Sequence, residues 1–213
     1  ETVLISRLER TTAPASRWAR VDRLVQDELV SRVGFESLLW LGRQRPALVP
    51  ALNRVVAGSC FAAGSRVDRS DRVFNTVRPP VHHEAEHAVP LAQAADALDA
   101  LRGVIDGGGL RVNFIVELRF VAQDDAWLSP AYQRESAFLG AYHAGRAGWR
   151  AYQQSVEIRF RDLEARPHWG KTFGLSRDTL AACYPRFFDF MRLRRELDPS
   201  GLFLNPLLQR LFA

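Results

Sequence analysis

The chain has 213 residues, of which 47% are hydrophobic and 25% are charged. This composition is typical of a globular domain with its own core, and it excludes intrinsic disorder, collagen and coiled coil as descriptions of the whole chain. The net charge of +5 comes from arginines scattered among acidic residues, so we expect no nucleic-acid partner.

Cysteine content and hydropathy narrow the class of protein further. The two cysteines, Cys60 and Cys183, are too few for a disulfide scaffold, and they share no zinc-binding spacing with each other or with a histidine pair. No apolar run approaches the ~20 residues that a membrane-spanning helix needs, and the N-terminus lacks the features of a secretory signal. We therefore expect a cytoplasmic protein that holds no metal and spans no membrane.

The first third of the chain predicts short helices followed by loop and strand. Apolar residues recur at helical spacing through much of 15–57, with a break near Pro46. Residues 58–80 predict loop and strand, closed by the two prolines at 79 and 80.

From residue 81 onward, strands and helices alternate. The predicted elements are a strand over 81–89, a helix over 91–105, strands over 112–121 and 136–142, and helices over 149–163, 180–197 and 206–212. The glycines at 107–109 follow a helix rather than a strand, so they predict a turn and not a nucleotide-binding loop. We expect a break near Pro185 in the helix over 180–197. This order favours an α+β domain whose mostly antiparallel sheet is covered by helices.

Two charged residues share one face of the strand predicted over 112–121. Glu117 and Arg119 are two positions apart, so their side chains project side by side. On a solvent-exposed face they are an ordinary surface ion pair that contributes little. If the face lines a pocket, the same pair is a platform that can bind hydroxyl groups.

The segment 166–171 combines a histidine, a tryptophan, a glycine and Lys171, the single lysine among 29 basic residues. A position that keeps lysine in an arginine-rich chain is consistent with a need for a compact ammonium group. The alternative is a surface loop with a packed tryptophan.

Acidic and histidine residues alternate in the strand predicted over 81–89. Glu84 and Glu86 share one face, and the nearby histidines lack the helical spacing of a metal site, so we interpret those histidines as structural. His143 follows the strand predicted over 136–142 and is a candidate for the same pocket as Glu117.

Four motifs occur in an order that resembles a known enzyme family. They are Val116-Glu117-Leu118-Arg119-Phe120, Trp127-Leu128-Ser129-Pro130, His168-Trp169-Gly170-Lys171 and the run from Asp198 to Pro206. Together they resemble the C-terminal half of sugar-1,4-lactone oxidases and alditol oxidases, FAD enzymes of the vanillyl-alcohol oxidase fold group that include D-arabinono-1,4-lactone oxidase. The segment 84–90 resembles the acidic strand that precedes a helix in that family.

The resemblance implies a domain organisation. It makes 1–213 the substrate-binding, or cap, domain, with a mainly helical 1–70 that carries no motif we can place and with the family motifs in 71–213. Family members also carry an N-terminal FAD-binding domain, which nothing in this chain resembles. We therefore expect that domain, in the same gene product, to be a partner that holds most of the FAD, and we expect the chain alone to be inactive.

The resemblance also implies roles for individual residues in hydride transfer from a carbinol carbon to flavin. The expected catalytic residues are Glu117, Arg119 and Lys171, the expected substrate-binding residues are these three with His143, and the expected cofactor-binding residues are His168, Lys171 and Asn205. The implied substrate is a small polyol or a sugar lactone. The histidine–threonine pair of alditol oxidases is missing from 137–142, so the choice between these two classes stays open.

One alternative belongs to another functional class, namely a non-catalytic binding or assembly module of the same fold without a flavin half. The flavoenzyme hypothesis requires Glu117, Arg119 and Lys171 to converge on one face of the domain. An ammonium group on the opposite side from the Glu117 and Arg119 pair would contradict it.

Overall fold

The described part of the chain divides into two units. In the computed structural model, the described residues are 5, 9–16, 33–59, 67–73, 81–107, 111–145 and 148–212. The first unit comprises Glu1–Val81 and Arg111–Phe114, and the second comprises His82–Leu110 and Ile115–Ala213.

The first unit is helical over most of its described length. Its helices are α1 (Glu36–Gln44), α2 (Val49–Ser59) and the one-turn α3 (Ser70–Val73), with a 3-10 turn over Pro46–Leu48. Pro46 suits the first position of that turn, because its fixed φ matches a helical start and its missing amide hydrogen would have no partner there. The side-chain amide of Asn53 in α2 donates to the carbonyl of Val112 at 3.1 Å and so ties the segment 111–114 to α2.

The helical prediction for 15–57 is confirmed from residue 36 onward by α1 and α2. Residues 15–16 are not helical, and residues 17–32 lie outside the described residues. The strand predicted within 58–80 also falls mostly on residues that are not described. Of its described parts, residues 58–59 belong to α2 and residues 67–73 contain α3, where loop and strand were expected.

Strands and helices alternate along the second unit. Its elements are β1 (His82–Pro90), α4 (Ala94–Gly107), β2 (Val116–Val121), β3 (Ser136–Ala144), α5 (Trp149–Phe160), β4 (Arg166–Pro167), α6 (Arg177–Cys183), α7 (Phe187–Leu197) and α8 (Pro206–Phe212). The four strands form one antiparallel sheet in the order β2-β3-β1-β4. The predicted α+β fold with a mostly antiparallel sheet is therefore confirmed.

The start of β2 differs most from the prediction, whereas the break predicted within residues 180–197 is confirmed. β2 begins at Val116 rather than at residue 112, because residues 111–114 pack in the first unit. The helix predicted over 180–197 is two helices, since α6 ends before Tyr184 and α7 begins after Pro185, at the break that the sequence predicts.

Helices α4 and α5 pack on one face of the sheet. Alternate residues of β1, including Ala85, His87 and Val89, are buried on this helix-covered face. The ring of His87 meets the ring of Phe160 in α5 edge-on, with centroids 5.7 Å apart. This packing leaves the opposite face of the sheet to the other set of alternating side chains.

A second core forms where the C-terminal helices meet. Its buried residues are Phe173, Leu180, Tyr184, Phe187, Met191, Leu211 and Phe212. Arg166 in β4 ties this core to the sheet, because its guanidinium donates to the carbonyls of Cys183 at 2.8 Å and Tyr132 at 2.9 Å. No helix among the described residues has both the length and the apolar character to cross a membrane.

Candidate functional site

Strand register brings charged residues from β1 and β2 to the same face of the sheet. Glu84 lies opposite Tyr142, whereas Glu86 and Glu117 lie opposite Gly140 from either side. Paired residues in a sheet point to the same face, and this face is opposite to α4 and α5. We call the group on it the charged face: Glu84, Glu86, Glu117, Arg119, Tyr142 and Lys171.

Arg119 has its main partner on β1 rather than on its own strand. Its terminal nitrogen hydrogen-bonds and ion-pairs with Oε1 of Glu86, whereas its Nε lies 3.9 Å from Oε1 of Glu117, too far for a hydrogen bond. Partial burial lowers the pKa of Arg119, but the hydrogen bond and charge of Glu86, with the charge of Glu117, raise this pKa above its usual value. Arg119 therefore stays protonated.

A short loop after β4 carries Lys171 to the charged face. The loop runs beside β1, because the amides of His168 and Thr172 donate to the carbonyls of Glu86 and Glu84, each at 2.9 Å. Between these two anchors, the ammonium of Lys171 ion-pairs with the carboxylate of Glu84. The structure therefore places Lys171 on the same face as Glu117 and Arg119.

Trp169 fixes this loop from the other side. Its indole nitrogen donates to the carbonyl of Leu128 at 2.9 Å, and its ring packs against Phe173, Tyr184 and Phe212 of the second core. The tryptophan of the HWGK motif is therefore a packed anchor, as one of the two interpretations of that loop predicts.

Tyr142 links the two halves of the charged face. Its hydroxyl donates to Oε2 of Glu117 at 2.7 Å. Burial raises the pKa of Tyr142, and the neighbouring carboxylates of Glu117 and Glu84 raise it further, so the hydroxyl remains a donor. The other carboxylate oxygen of Glu117, Oε1, makes no hydrogen bond to Arg119, whose Nε is 3.9 Å away.

Sequence reasoning missed Tyr142, the space at Gly140 and the pairing of both cations with β1. A Cβ on Gly140 would lie 2.9 Å from the ring of Tyr142, so glycine leaves room for that ring. Alternation within the predicted strands provided part of the signal. The missing information was the register between strands, which the spacing of residues within one strand does not contain.

His143 was expected to join the pocket of Glu117, and the structure corrects this. His143 follows Tyr142 in β3 and therefore points to the opposite, helix-covered face, where its ring lies 6.3 Å from that of Tyr152. Burial lowers the pKa of His143, and the charge of His83 lowers it further. His143 is part of the packing against α5 rather than of the charged face.

His168 and Asn205 each have a structural contact. Nδ1 of His168 accepts a hydrogen bond from the amide of Gly170 at 3.0 Å and so shapes the loop that carries Lys171. Asn205 caps α8, because its side-chain oxygen accepts from the amide of Leu208 at 2.9 Å. Among the contacts of the described residues, none links Asn205 to the charged face, and its cofactor role stays a prediction.

The histidines of β1 pack against rings. His83 stacks on Trp149 with centroids 4.1 Å apart, and His82 lies 5.6 Å from Tyr142. His87 is buried, and neither of its ring nitrogens has a hydrogen-bond partner in the part of the chain that the structure describes. The described residues contain no group of three or more histidine, cysteine or acidic side chains that could hold a metal ion.

Comparison with known proteins identifies relatives along almost the whole chain. The family model of D-arabinono-1,4-lactone oxidase matches residues 1–211, including the first seventy residues, in which we placed no motif. L-gulonolactone oxidase of Scyliorhinus torazame is 37% identical over 83% of this chain and 42% of its own length. L-gulono-1,4-lactone dehydrogenase of Mycobacterium tuberculosis is 30% identical over 97% of this chain and 47% of its own length. Alditol oxidase of a Streptomyces species is 39% identical over 60% of this chain and 31% of its own length.

These relatives are named as oxidases and dehydrogenases of sugar lactones and alditols, and the chain spans less than half the length of each of the three. The glutamate, arginine and lysine that suggested the resemblance lie on one face of the sheet. Since the family model covers nearly every residue, the chain belongs to the D-arabinono-1,4-lactone oxidase family.

Proposed function

We propose that this chain is the substrate-binding part of an FAD-dependent oxidoreductase that oxidises a hydroxyl group of a sugar lactone or polyol. The observation that carries the proposal is the set of hydrogen bonds and ion pairs on the charged face, which joins Lys171 to Glu84, Tyr142 to Glu117 and Arg119 to Glu86. It joins donors and acceptors on one partly exposed face, which suits a ligand with several hydroxyl groups.

The donor set of the charged face fits a flavin. FAD, held mainly by the FAD-binding domain of the same gene product, would accept the hydride from the carbinol carbon when bound. Lys171 is 31% exposed in its side chain and Arg119 47%, so both cations can approach a bound group. A fixed cation stabilises the negative charge that a flavin gains on reduction, and Lys171 is our candidate for that role. His168 and Asn205 are proposed to contact the cofactor beside it.

Glu117 is proposed to orient the substrate. Its Oε2 is held by Tyr142, and its Oε1 makes no hydrogen bond to Arg119, so a substrate hydroxyl can donate to Oε1. Arg119 offers guanidinium donors on the same side to the oxygens of the substrate. The two residues together would hold the carbinol in a fixed orientation, which is a large part of how enzymes lower barriers.

The test uses the full-length enzyme that contains this chain. Lys171→Met should slow reduction of the flavin by substrate at least ~100-fold, the effect of losing one electrostatic donor. Arg195→Met, which removes an exposed positive charge from α7, is the control and should leave the rate unchanged. Stopped-flow absorbance of the flavin measures both, and near-normal reduction in Lys171→Met would remove the proposed role.

The non-catalytic module remains the alternative. The reading frame upstream of the codon for Glu1 distinguishes the two, because the flavoenzyme requires an FAD-binding domain encoded in frame. A cytoplasmic location is likewise a proposal, supported by the low cysteine count.

A further inference from the structure

The two glutamates of β1 have no part in the proposed reaction, yet each forms an ion pair with one of its cations. We infer that Glu84 and Glu86 are positioning residues, in which Glu86 places Arg119 and Glu84 places Lys171, so that Glu117 is left as the carboxylate for the substrate. This inference rests on the proposed function, because it assigns the supports of the same site.

Arg119 hydrogen-bonds to the carboxylate that is more distant along the chain and across the sheet. Glu117 is two residues away on β2, whereas Glu86 is two strands away, and the guanidinium bonds to Glu86. The path crosses β3 at Phe138 and Gly140. The guanidinium carbon lies 5.7 Å from the ring centre of Phe138, and Gly140 has no side chain to block the way. Arg119 is thereby drawn away from Glu117.

Burial makes the pair between Glu86 and Arg119 mutually dependent. The side chain of Glu86 is 2% exposed, and its second oxygen, Oε2, has no hydrogen-bond partner among the described residues. A buried carboxylate without a compensating cation is unfavourable. Glu86 therefore needs the charge of Arg119, and the same ion pair fixes the position of the Arg119 guanidinium.

Glu84 has the corresponding role for Lys171. Its backbone carbonyl accepts from both the amide and the hydroxyl of Thr172, at 2.9 Å and 2.6 Å, which fixes the loop next to Lys171. Its carboxylate, 11% exposed, then pairs with the ammonium. One residue thus sets both the position of the loop and the direction of its cation.

The charges of the site support this division of roles. Glu84 and Glu86 each neutralise one cation, and Glu117 is the third carboxylate, held by the neutral hydroxyl of Tyr142. If Glu86 loses its charge, the nearest remaining carboxylate for Arg119 is Glu117, 3.9 Å from its Nε. Arg119 would then occupy the acceptor that the substrate needs.

The test for Glu86 is a double-mutant cycle in the full-length enzyme, with Glu86→Gln, Arg119→Met and the double variant. Glu86→Gln should lower kcat/KM at least ~10-fold in the wild-type background and less than ~2-fold in Arg119→Met, because a residue that acts through another loses its effect when that residue is gone. Equal losses in both backgrounds would overturn the role of Glu86. Glu196→Gln on α7 removes the same charge from an exposed position and should change nothing.

The test for Glu84 compares the flavin reduction potential in two backgrounds of the full-length enzyme. Glu84→Gln removes a negative charge in both, but only in the wild type does it also release Lys171 from its position, so the shift in potential should differ between the wild type and Lys171→Met. Equal shifts in the two backgrounds overturn this arm, and thermal unfolding checks that each variant is folded.

A third measurement separates failure of this inference from failure of the proposed function. Because Lys171 is the single lysine of these 213 residues, lysine-selective ¹³C labelling confined to this segment of the full-length enzyme by segmental ligation gives one side-chain NMR signal. Glu84→Gln should shift that signal and Glu196→Gln should not. If no lactone or polyol reduces the flavin of the wild type while the signal shifts as expected, the proposed function fails but the placement of Lys171 stands. An unshifted signal overturns the placement itself.

Discussion

Arg119 shows that a sequence neighbour and a structural partner are different residues. Its spacing from Glu117 suggests a pair within one strand, yet its hydrogen-bond partner is Glu86, reached across β3. The same holds for Lys171, whose partner Glu84 is 87 residues away along the chain. At the scale of single residues, the site is built from cations and carboxylates that only the sheet brings together.

His87 makes the stability of the chain dependent on pH. Its burial lowers its pKa from 6.5 to about 4. The unfolded chain therefore takes up a proton at this residue as the pH falls below 6.5, whereas the folded chain does not until about pH 4. We expect protonation of His87 in the unfolded chain to lower the free energy of unfolding by about 3 kcal/mol as the pH falls from 6.5 to about 4. Above pH 6.5 the residue should have no effect on the pH dependence of stability.

Urea unfolding at several pH values between 7.5 and 4 measures this effect. His87→Leu removes the titrating group while keeping an apolar side chain beside Phe160, so its free energy of unfolding should vary less with pH than that of the wild type. Parallel pH profiles for the two proteins would show that His87 is not the source.

At the scale of elements, β3 positions the charged face because it lies between β1 and β2. Gly140→Ala should lower the free energy of unfolding by about 1–3 kcal/mol, since the added methyl group meets the Tyr142 ring at 2.9 Å and the ring must move. The displaced ring would also loosen the hydrogen bond to Glu117, so we expect a higher KM in the full-length enzyme.

Gly103 in α4 offers the matched control. A Cβ there has no neighbour within 4 Å, so Gly103→Ala should leave KM unchanged and stabilise the helix by about 0.5–1 kcal/mol. Thermal unfolding of both variants, with KM from steady-state rates, compares the two sites. Equal stability changes at both positions would contradict the crowding argument.

Asn205, at the N-terminus of α8, has a capping role in the structure and a proposed role in cofactor binding, and two substitutions can separate them. Asn205→Ala should cost about 1 kcal/mol through loss of the cap on Leu208, whereas Asn205→Ser keeps a capping oxygen and should cost less. If Asn205 also contacts FAD, Asn205→Ser should weaken FAD retention in the full-length enzyme despite its stability. FAD release on dilution, followed by fluorescence, measures this, and unchanged retention would leave Asn205 as a cap alone.

At the scale of the whole molecule, local patterns predicted the elements and non-local pairing decided the site. Helical and alternating spacing located β1, β3, α4 and α5, because these signals come from neighbouring residues. The start of β2 was wrong, since nothing in the alternation of residues 112–115 shows that 111–114 pack in another unit. The predicted placement of His143 beside Glu117 was wrong, because the face on which His143 lies relative to Glu117 depends on the register of β3 against β2.

Trp169 extends the reach of this organisation beyond the sheet. Its ring packs against Phe173, Tyr184 and Phe212, so the position of the Lys171 ammonium depends on how the C-terminal helices pack. A laboratory evolution experiment that selects for faster turnover should therefore recover substitutions among these aromatic residues, because they shift the ammonium slightly.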